Sequence, residues 1–345
     1  MGKGRDTRLG RVLIVGAGAV GQVYGRHLLR AGVKVDFYVR PARVDEFSEG
    51  FWMYPLNDRT LRQQGAHMSG FGLYSSTDEL VDEHFDQVWL CVPSTALEGP
   101  WLNEVLQAAS PESLVSMTPG YQDDIILRAA YQGPIARGLI QFMSYQTPLK
   151  RPQGWPTNDR LEQEALRDKP GIAYWLPPAT KGTFGGDETA ARAAVHALKK
   201  GGFPAKFDAS TVDKGRLGSA ILMPLVAALQ LDGWRFDSLR RGPNLALAMN
   251  ASREILEVMA EDTGFRPPWW RRFLKPWLGK VMMTFAKRMM PFDIEVFLAY
   301  HFTKVGDQTV ALLKTFNDIA ISKKIHTPAL TQLTERRIQG THPHD

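Results

Sequence analysis

The first two thirds of the chain alternate short apolar runs with segments of helical character. Apolar runs of this length are typical of strands that are buried on both faces of a parallel sheet. Strands that alternate with helices at this spacing indicate a doubly wound sheet. The clearest runs are 12–15, 33–39, 85–93, 113–117 and 134–143.

The pattern changes near Ser210, after which the chain is helical almost throughout and shows no further alternating strands. The predicted fold class is therefore α/β, with an N-terminal Rossmann-type doubly wound sheet followed by an all-helical C-terminal domain. We place the two domains at residues 1–208 and 209–345, each of an ordinary domain size.

A glycine-rich turn follows the first predicted strand and precedes a predicted helix. Gly16 permits the tight turn, Gly18 lets the backbone approach a pyrophosphate, and Gly21 lets the helix pack on the strand. The free N–H groups and the dipole of a helix N-terminus favour an anion there. The predicted dinucleotide-binding residues of this turn are Gly16, Ala17, Gly18, Ala19, Val20 and Gly21.

The residues at the end of the second predicted strand distinguish NAD-binding from NADP-binding proteins. NAD-binding units place an acidic residue there to bind the ribose hydroxyls. Val39 occupies that position, Arg40 follows it, and Asp36 lies too early in the strand. Because arginine binds a 2′-phosphate by charge-assisted hydrogen bonds, the sequence predicts NADP.

Two later turns are expected near the same cofactor. Ligands of doubly wound sheets bind outside the carboxyl ends of the strands, where the turns at 92–95 and 118–120 should meet the glycine-rich turn. This adds Val92, Pro93 and Pro119 to the predicted cofactor-binding residues.

The composition restricts the partners. The formal net charge is +6, but the chain has no zinc-finger spacing or RNA-binding signature, so we expect a small anionic carbonyl substrate and no nucleic acid. The single cysteine, Cys91, fits a reducing compartment, and we predict no metal site. The start of the sequence is polar and no apolar run is long enough to span a bilayer. We therefore predict a cytoplasmic protein without stable membrane insertion.

The sequence resembles the ketopantoate reductase (2-dehydropantoate 2-reductase) family, a relative of the 6-phosphogluconate dehydrogenase superfamily. The resemblance is carried by the glycine-rich turn, Arg40, the turn after Val92, and the stretches 220–229 and 325–330. It implies NADPH-dependent reduction of a 2-oxo acid. It also implies a lysine on the first helix of the second domain that acts as general acid.

The chain departs from the family pattern at several positions. Pro93-Ser94 stands where the family has a lysine, and Pro119 stands where it has an asparagine near the nicotinamide. Counting back from Pro224 places Gly215 at the position of the catalytic lysine. Lys214 and Arg216 flank it, and Lys214 is our candidate general acid.

A second candidate group lies in the predicted helix 293–307. Helical spacing puts Tyr300, Lys304 and Asp307 on one face, and Lys304 and Asp307 are predicted to act at the catalytic site. An ordinary surface salt bridge between Lys304 and Asp307 is the alternative. His301 is interpreted as a core histidine.

Tryptophans alternate with cations between Arg266 and Trp277, interrupted by three prolines. We interpret the stretch as a packed lid or a homodimer contact, because tryptophans are enriched at interfaces. Contact with a membrane surface is the alternative.

Together these features predict an NADP-dependent oxidoreductase that reduces a 2-oxo acid, or a related carbonyl or imine, to the hydroxy acid or amine. Two other functions fit parts of the pattern. One is a non-catalytic NADPH-sensing protein, and the other is a membrane-surface-associated reductase.

Overall fold

The computed structural model describes residues 9–304 and 306–339, without the side chain of Asp307. The predicted fold class is confirmed: a mixed α/β sheet domain is followed by a helical region. The strands in this part of the chain are β1 (Arg11–Val15), β2 (Lys34–Tyr38), β3 (Phe51–Pro55), β4 (Ala66–Met68), β5 (Gly72–Tyr74), β6 (Gln87–Leu90), β7 (Ser113–Ser116), β8 (Ile135–Leu139), β9 (Met143–Thr147), β10 (Gly171–Trp175), β11 (Gly182–Gly186) and β12 (Ala205–Phe207).

The helices divide into two groups along the chain. Those up to residue 200 are α1 (Ala19–Arg30), α2 (Val44–Phe47), α3 (Leu61–Gln64), α4 (Trp101–Ala109), α5 (Asp123–Ala130), α6 (Asp159–Ala165) and α7 (Glu188–Lys200). Those after residue 210 are α8 (Thr211–Leu231), α9 (Phe236–Arg241), α10 (Asn244–Thr263), α11 (Pro276–Met289), α12 (Ile294–Lys304), α13 (Gly306–Ser322) and α14 (Pro328–Gln339). Short 3-10 helices cover Pro41–Arg43, Asp78–Leu80, Ser94–Leu97 and Trp269–Phe273.

The main sheet has the strand order β12-β11-β8-β7-β6-β1-β2-β5. All neighbouring strands are parallel except β8 and β11. The order reverses direction between β1 and β6, since the chain proceeds from β1 to β2 on one side and later returns to β6 on the other. Ligands of doubly wound sheets bind at such a reversal.

Both faces of the main sheet are buried, which explains its apolar runs. Along β1, Val12 and Ile14 belong to one hydrophobic cluster, which includes residues of α1 and α7. Leu13 and Val15 belong to a second cluster, which includes residues of α4 and α5. Alternate residues of a strand point to opposite faces, so a continuous apolar run fills both cores.

A smaller sheet has the order β4-β3-β10-β9. The apolar run 134–143 was expected to form one strand, and this prediction is wrong. The chain leaves the main sheet after Leu139, at the end of β8, and β9 pairs with β10 in the smaller sheet from Met143 onward. Apolarity alone does not show which sheet a strand will join.

The chain divides into two compact units, Met1–Pro148 with Glu164–Val212 and Leu149–Gln163 with Asp213–Asp345. The predicted boundary at 208/209 lies close to the change at 212/213. Residues 149–163 were expected in the first domain but belong to the helical unit. There Asn158 donates to the carboxylate of Asp293, and the Arg160 guanidinium donates to the carbonyl of Phe292 at 3.2 Å.

Candidate functional site

The turn after β1 has the backbone geometry that its glycines suggested. Gly16 has φ +99°, a backbone conformation in which a residue with a side chain would be strained. A Cβ at Gly16 would also lie 2.9 Å from the carbonyl oxygen of Cys91. At Gly21, a Cβ would collide with the Gly16 carbonyl oxygen. These two glycines therefore allow α1 to begin directly against the end of β1.

Gly18 differs from the other two glycines because a Cβ there would meet nothing within 4 Å. Gly18 is the N-cap of α1, provides no capping side chain, and is followed by no acidic residue in the first turn. Ala17 beside it is buried, and Ala19 and Val20 are half-buried at the start of the helix. The open space and the helix N-terminus together fit the pyrophosphate of a dinucleotide.

Most of the side chains near the end of β2 are buried or already paired. Val39, in the position of the ribose-binding acid, is buried. Asp36 is also buried and is held by the Arg11 guanidinium, whose Nε lies 2.6 Å from its carboxylate. Arg43 donates to both carboxylate oxygens of Glu46 at 2.7 Å.

Arg40 is exposed, and its side chain has no hydrogen bond or ion pair to any residue that the structure describes. It lies directly after the strand end, without a competing carboxylate partner. A guanidinium in this state can bind a 2′-phosphate without first breaking an ion pair. Arg40 is therefore available to bind an anionic group of a ligand.

A carboxylate that the sequence did not single out connects the two later turns. Asp123, at the start of α5, accepts hydrogen bonds from the Ser94 hydroxyl and from the Gly120 amide, both at 2.8 Å. Asp123 is almost fully buried. It therefore holds the turn after β6 against the turn after β7, and Pro93 and Pro119 lie exposed on these turns while Val92 is half-buried.

A second network beside these turns is centred on Arg137 in β8. Its guanidinium donates to the Ser116 hydroxyl at 2.9 Å and to the Thr118 carbonyl at 3.2 Å, and its Nε lies 3.4 Å from the Asp124 carboxylate. Arginine within an otherwise apolar strand was a signal in the sequence that could have revealed this network. The bonds fix the backbone immediately before Pro119.

In the helical unit, Lys214 lies exposed on α8, and Arg216 lies 3.5 Å from the carboxylate of Asp213. Lys304 is exposed at the end of α12. The side chain of Asp307 lies outside the described residues, so the predicted grouping of Lys304 with Asp307 stays a prediction.

His301 on α12 is surrounded by aromatic rings, as expected of a core histidine. Its ring stacks on Phe297 with centroids 5.5 Å apart and meets Phe302 edge-on at 4.9 Å. Burial lowers the pKa of His301 to about 4, with a smaller contribution from the nearby Lys304 charge. In the first unit, burial raises the pKa of the Cys91 thiol, which agrees with a packing role for that residue.

Comparison with known proteins identifies a similar family. Residues 12–150 match the sequence profile of the family described as Ketopantoate reductase PanE/ApbA. This part of the chain is therefore similar to the ketopantoate reductase family. The resemblance inferred from the sequence is thereby confirmed. No curated protein sequence matches the chain.

Solved structures of ketopantoate reductases share the fold along nearly the whole chain. A PanE/ApbA family ketopantoate reductase from Ralstonia eutropha JMP134 is 16% identical, with a TM-score of 0.68, over 95% of this chain and 97% of the other. A 2-dehydropantoate 2-reductase from Geobacter metallireducens GS-15 is 15% identical, with a TM-score of 0.64, over 96% and 99%.

A D-mandelate dehydrogenase, solved with NADH and anilino(oxo)acetate, has the same fold at 14% identity. Its TM-score is 0.66, over 95% of this chain and 97% of the other. Reductases and a dehydrogenase that differ in substrate therefore share this architecture, so the fold does not select the substrate.

One cluster within residues 12–150 has metal-ligand spacing. His84, Asp86 and Glu112 precede β6 and β7, and their donor atoms lie within 4.8 Å of one another. His84 Nε2 lies 3.7 Å from Asp86 and 3.6 Å from Glu112. His84 and Glu112 are mostly exposed. We interpret the cluster as surface ion pairs that form when His84 is protonated, at the opposite strand ends from the glycine-rich turn.

Among the residues that the structure describes, no helix combines the length and apolarity required to cross a bilayer.

Proposed function

We propose that the chain is an NADPH-dependent oxidoreductase that reduces a 2-oxo acid, or a related carbonyl or imine, to the hydroxy acid or amine. The observation that carries the proposal is the open helix N-terminus at Gly18 together with Arg40 after β2, which has no side-chain partner among the described residues. The match of residues 12–150 to the ketopantoate reductase family supports the reaction class.

Each part of the predicted cofactor site has a separate role in binding. The amides at the start of α1 receive the pyrophosphate, and Arg40 binds the 2′-phosphate. Asp123 and Arg137 keep the turns after β6 and β7 in fixed positions, so that the backbone at Pro119 is ordered before the cofactor arrives. NADPH, when bound, supplies the hydride.

Reduction of a carbonyl also needs a group that protonates the developing alkoxide. The family resemblance places this group on α8, at the position of Gly215. Lys214 is the adjacent residue with suitable chemistry, and Arg216 is the alternative if the register is shifted. A cation there would also attract the carboxylate of a 2-oxo acid.

Gly18→Val tests the binding site. The added side chain would occupy the place of the pyrophosphate, whereas the open surroundings of Gly18 leave the packing intact. We expect NADPH binding, measured by isothermal titration, to be lost while the unfolding temperature of the protein changes little. Retained NADPH binding by the folded variant would contradict the proposed site.

Oxidation of NADPH, followed by its absorbance with a panel of 2-oxo acids and imines, tests the reaction. Turnover with an anionic carbonyl compound is the expected result. If the unmodified protein binds NADPH but oxidises it with no member of the panel, the NADPH-sensing function is favoured. The glycine at the lysine position and the exposure of Lys214 are the observations that support this second candidate.

A further inference from the structure

An exposed apolar stripe runs along the segment 264–292, which contains none of the residues assigned to the cofactor site. Its residues follow one another at intervals of four, and each side chain is between 42% and 71% exposed. The stripe consists of Trp269, Phe273, Trp277, Val281, Phe285 and Met289. Its first two members belong to the 3-10 helix Trp269–Phe273 and the others to α11.

The exposed side of α11 is not the side that packs on the protein. Gly279 and Met283 are buried, and a Cβ at Gly279 would collide with Leu245 and Met249 of α10. This contact fixes the rotation of α11 about its axis. The four stripe residues of α11 lie on the opposite face of the helix, so α11 has an apolar face towards the protein and a second one towards solvent.

All charged residues of the segment 264–292 are positively charged. It contains seven of the 42 Lys and Arg residues and none of the 36 Asp and Glu residues, so the rest of the chain has a formal net charge of −1. Lys287 is paired with Asp237 and Glu295. The other six cations form no ion pair with any described residue. They are Arg266, Arg271, Arg272, Lys275, Lys280 and Arg288.

We propose that the apolar stripe and its cations bind the surface of an anionic lipid bilayer, with α11 lying in the plane of the interface. Tryptophan and phenylalanine enter the boundary between headgroups and acyl chains, and unpaired Lys and Arg attract anionic headgroups. Because α11 is about 21 Å long at 1.5 Å per residue, the stripe offers an extended contact rather than a single anchor.

A second copy of the chain fits these observations less well. A two-fold interface centred on this segment would place two segments of the same positive charge against each other. An anionic lipid surface instead complements all six unpaired cations. The homodimer contact predicted from the tryptophans is thus the alternative outcome of the test.

Sedimentation of the full-length protein with vesicles is the test. We expect binding to phosphatidylcholine vesicles that contain phosphatidylglycerol, little binding to phosphatidylcholine alone, and weaker binding as salt rises from about 0.1 M to about 0.5 M. Equal sedimentation with both kinds of vesicle, or with neither, would overturn the proposal.

Two double variants separate the apolar contribution to vesicle binding from the contribution of the positive charges. Trp277→Ser with Phe285→Ser should abolish binding. Lys280→Glu with Arg288→Glu should lower the partition coefficient about 25-fold or more, because each cation near the surface contributes a factor of about five. If either double variant binds vesicles as strongly as the unmodified protein, the stripe is not the contact.

Matched controls change equally exposed residues elsewhere. Val81→Ser with Ile321→Ser, and Lys181→Glu with Lys314→Glu, should leave vesicle binding unchanged. Analytical ultracentrifugation identifies the competing occupant: a dimer that is lost in the Trp277 and Phe285 double variant would overturn the proposal. NADPH binding should be the same in all variants, so this result is independent of the proposed function.

Discussion

Replacing Arg40 with alanine should discriminate between the two nicotinamide cofactors. Arg40 is exposed and its guanidinium has no partner among the described residues, so its removal breaks no interaction of the protein itself. The whole effect should therefore fall on the bound ligand. We expect weaker binding of NADPH and nearly unchanged binding of NADH, which has no 2′-phosphate.

The magnitude follows from the bonds that are lost. A hydrogen bond to a charged group contributes about 1.5–3 kcal/mol, and each 1.4 kcal/mol is about tenfold in affinity. Arg40→Ala should thus raise the dissociation constant of NADPH by about 10- to 100-fold. Isothermal titration with NADPH and with NADH measures both constants on the same preparation.

Arg43 provides the matched control for Arg40. It is a nearby arginine, but its guanidinium already donates twice to Glu46 and lies over the ring of Phe47 at 4.9 Å. Arg43→Ala should leave the affinity for NADPH within about twofold, since a paired guanidinium is less available to a ligand. Equal losses for both cofactors in Arg40→Ala, or an equal loss in Arg43→Ala, would refute the assignment.

Three further outcomes are expected. Gly21→Ala should destabilise the protein by about 1–3 kcal/mol in urea unfolding, because its Cβ would collide with a backbone oxygen that cannot move without opening the turn. Lys214→Ala should lower turnover by about 100- to 10,000-fold while NADPH still binds, and Arg216→Ala should do so instead if the register is shifted. His27 is buried, and burial lowers its pKa from 6.5 to about 4. Relative to His27→Gln, the free energy of unfolding of the unmodified protein should be constant above pH 6.5. It should decrease by about 3 kcal/mol as the pH falls from 6.5 towards 4, because the unfolded state binds the proton first.

Each of these outcomes has a result that would contradict it. Gly18→Ala is the control for Gly21→Ala, since it places the same atom in open space, and equal destabilisation of both variants would argue against the collision. Full turnover in both Lys214→Ala and Arg216→Ala would move the proton donor elsewhere, with Lys304 next to be tested. Parallel stability curves for the unmodified protein and His27→Gln between pH 6.5 and 4 would show that His27 does not titrate on unfolding.

The sequence by itself determined the features that depend on local geometry. A glycine in a tight turn, an apolar run buried on two faces and a helix that follows the glycine-rich turn depend on backbone sterics and side-chain periodicity within a few residues. For this reason the glycine-rich turn, the alternation of strands and helices and the change to a helical unit near residue 210 could all be predicted.

Only the tertiary structure decided which polar side chains form hydrogen bonds or ion pairs with other residues of the chain. The sequence places Arg40 and Arg43 close together after β2, but only the structure shows that Glu46 binds Arg43 and that Arg40 has no partner among the described residues. Asp123 holds a serine 29 residues away, and β9 pairs in the smaller sheet with β10, a strand that the chain forms later. Such partners depend on the packing of distant segments, which no local pattern of apolar and polar residues records.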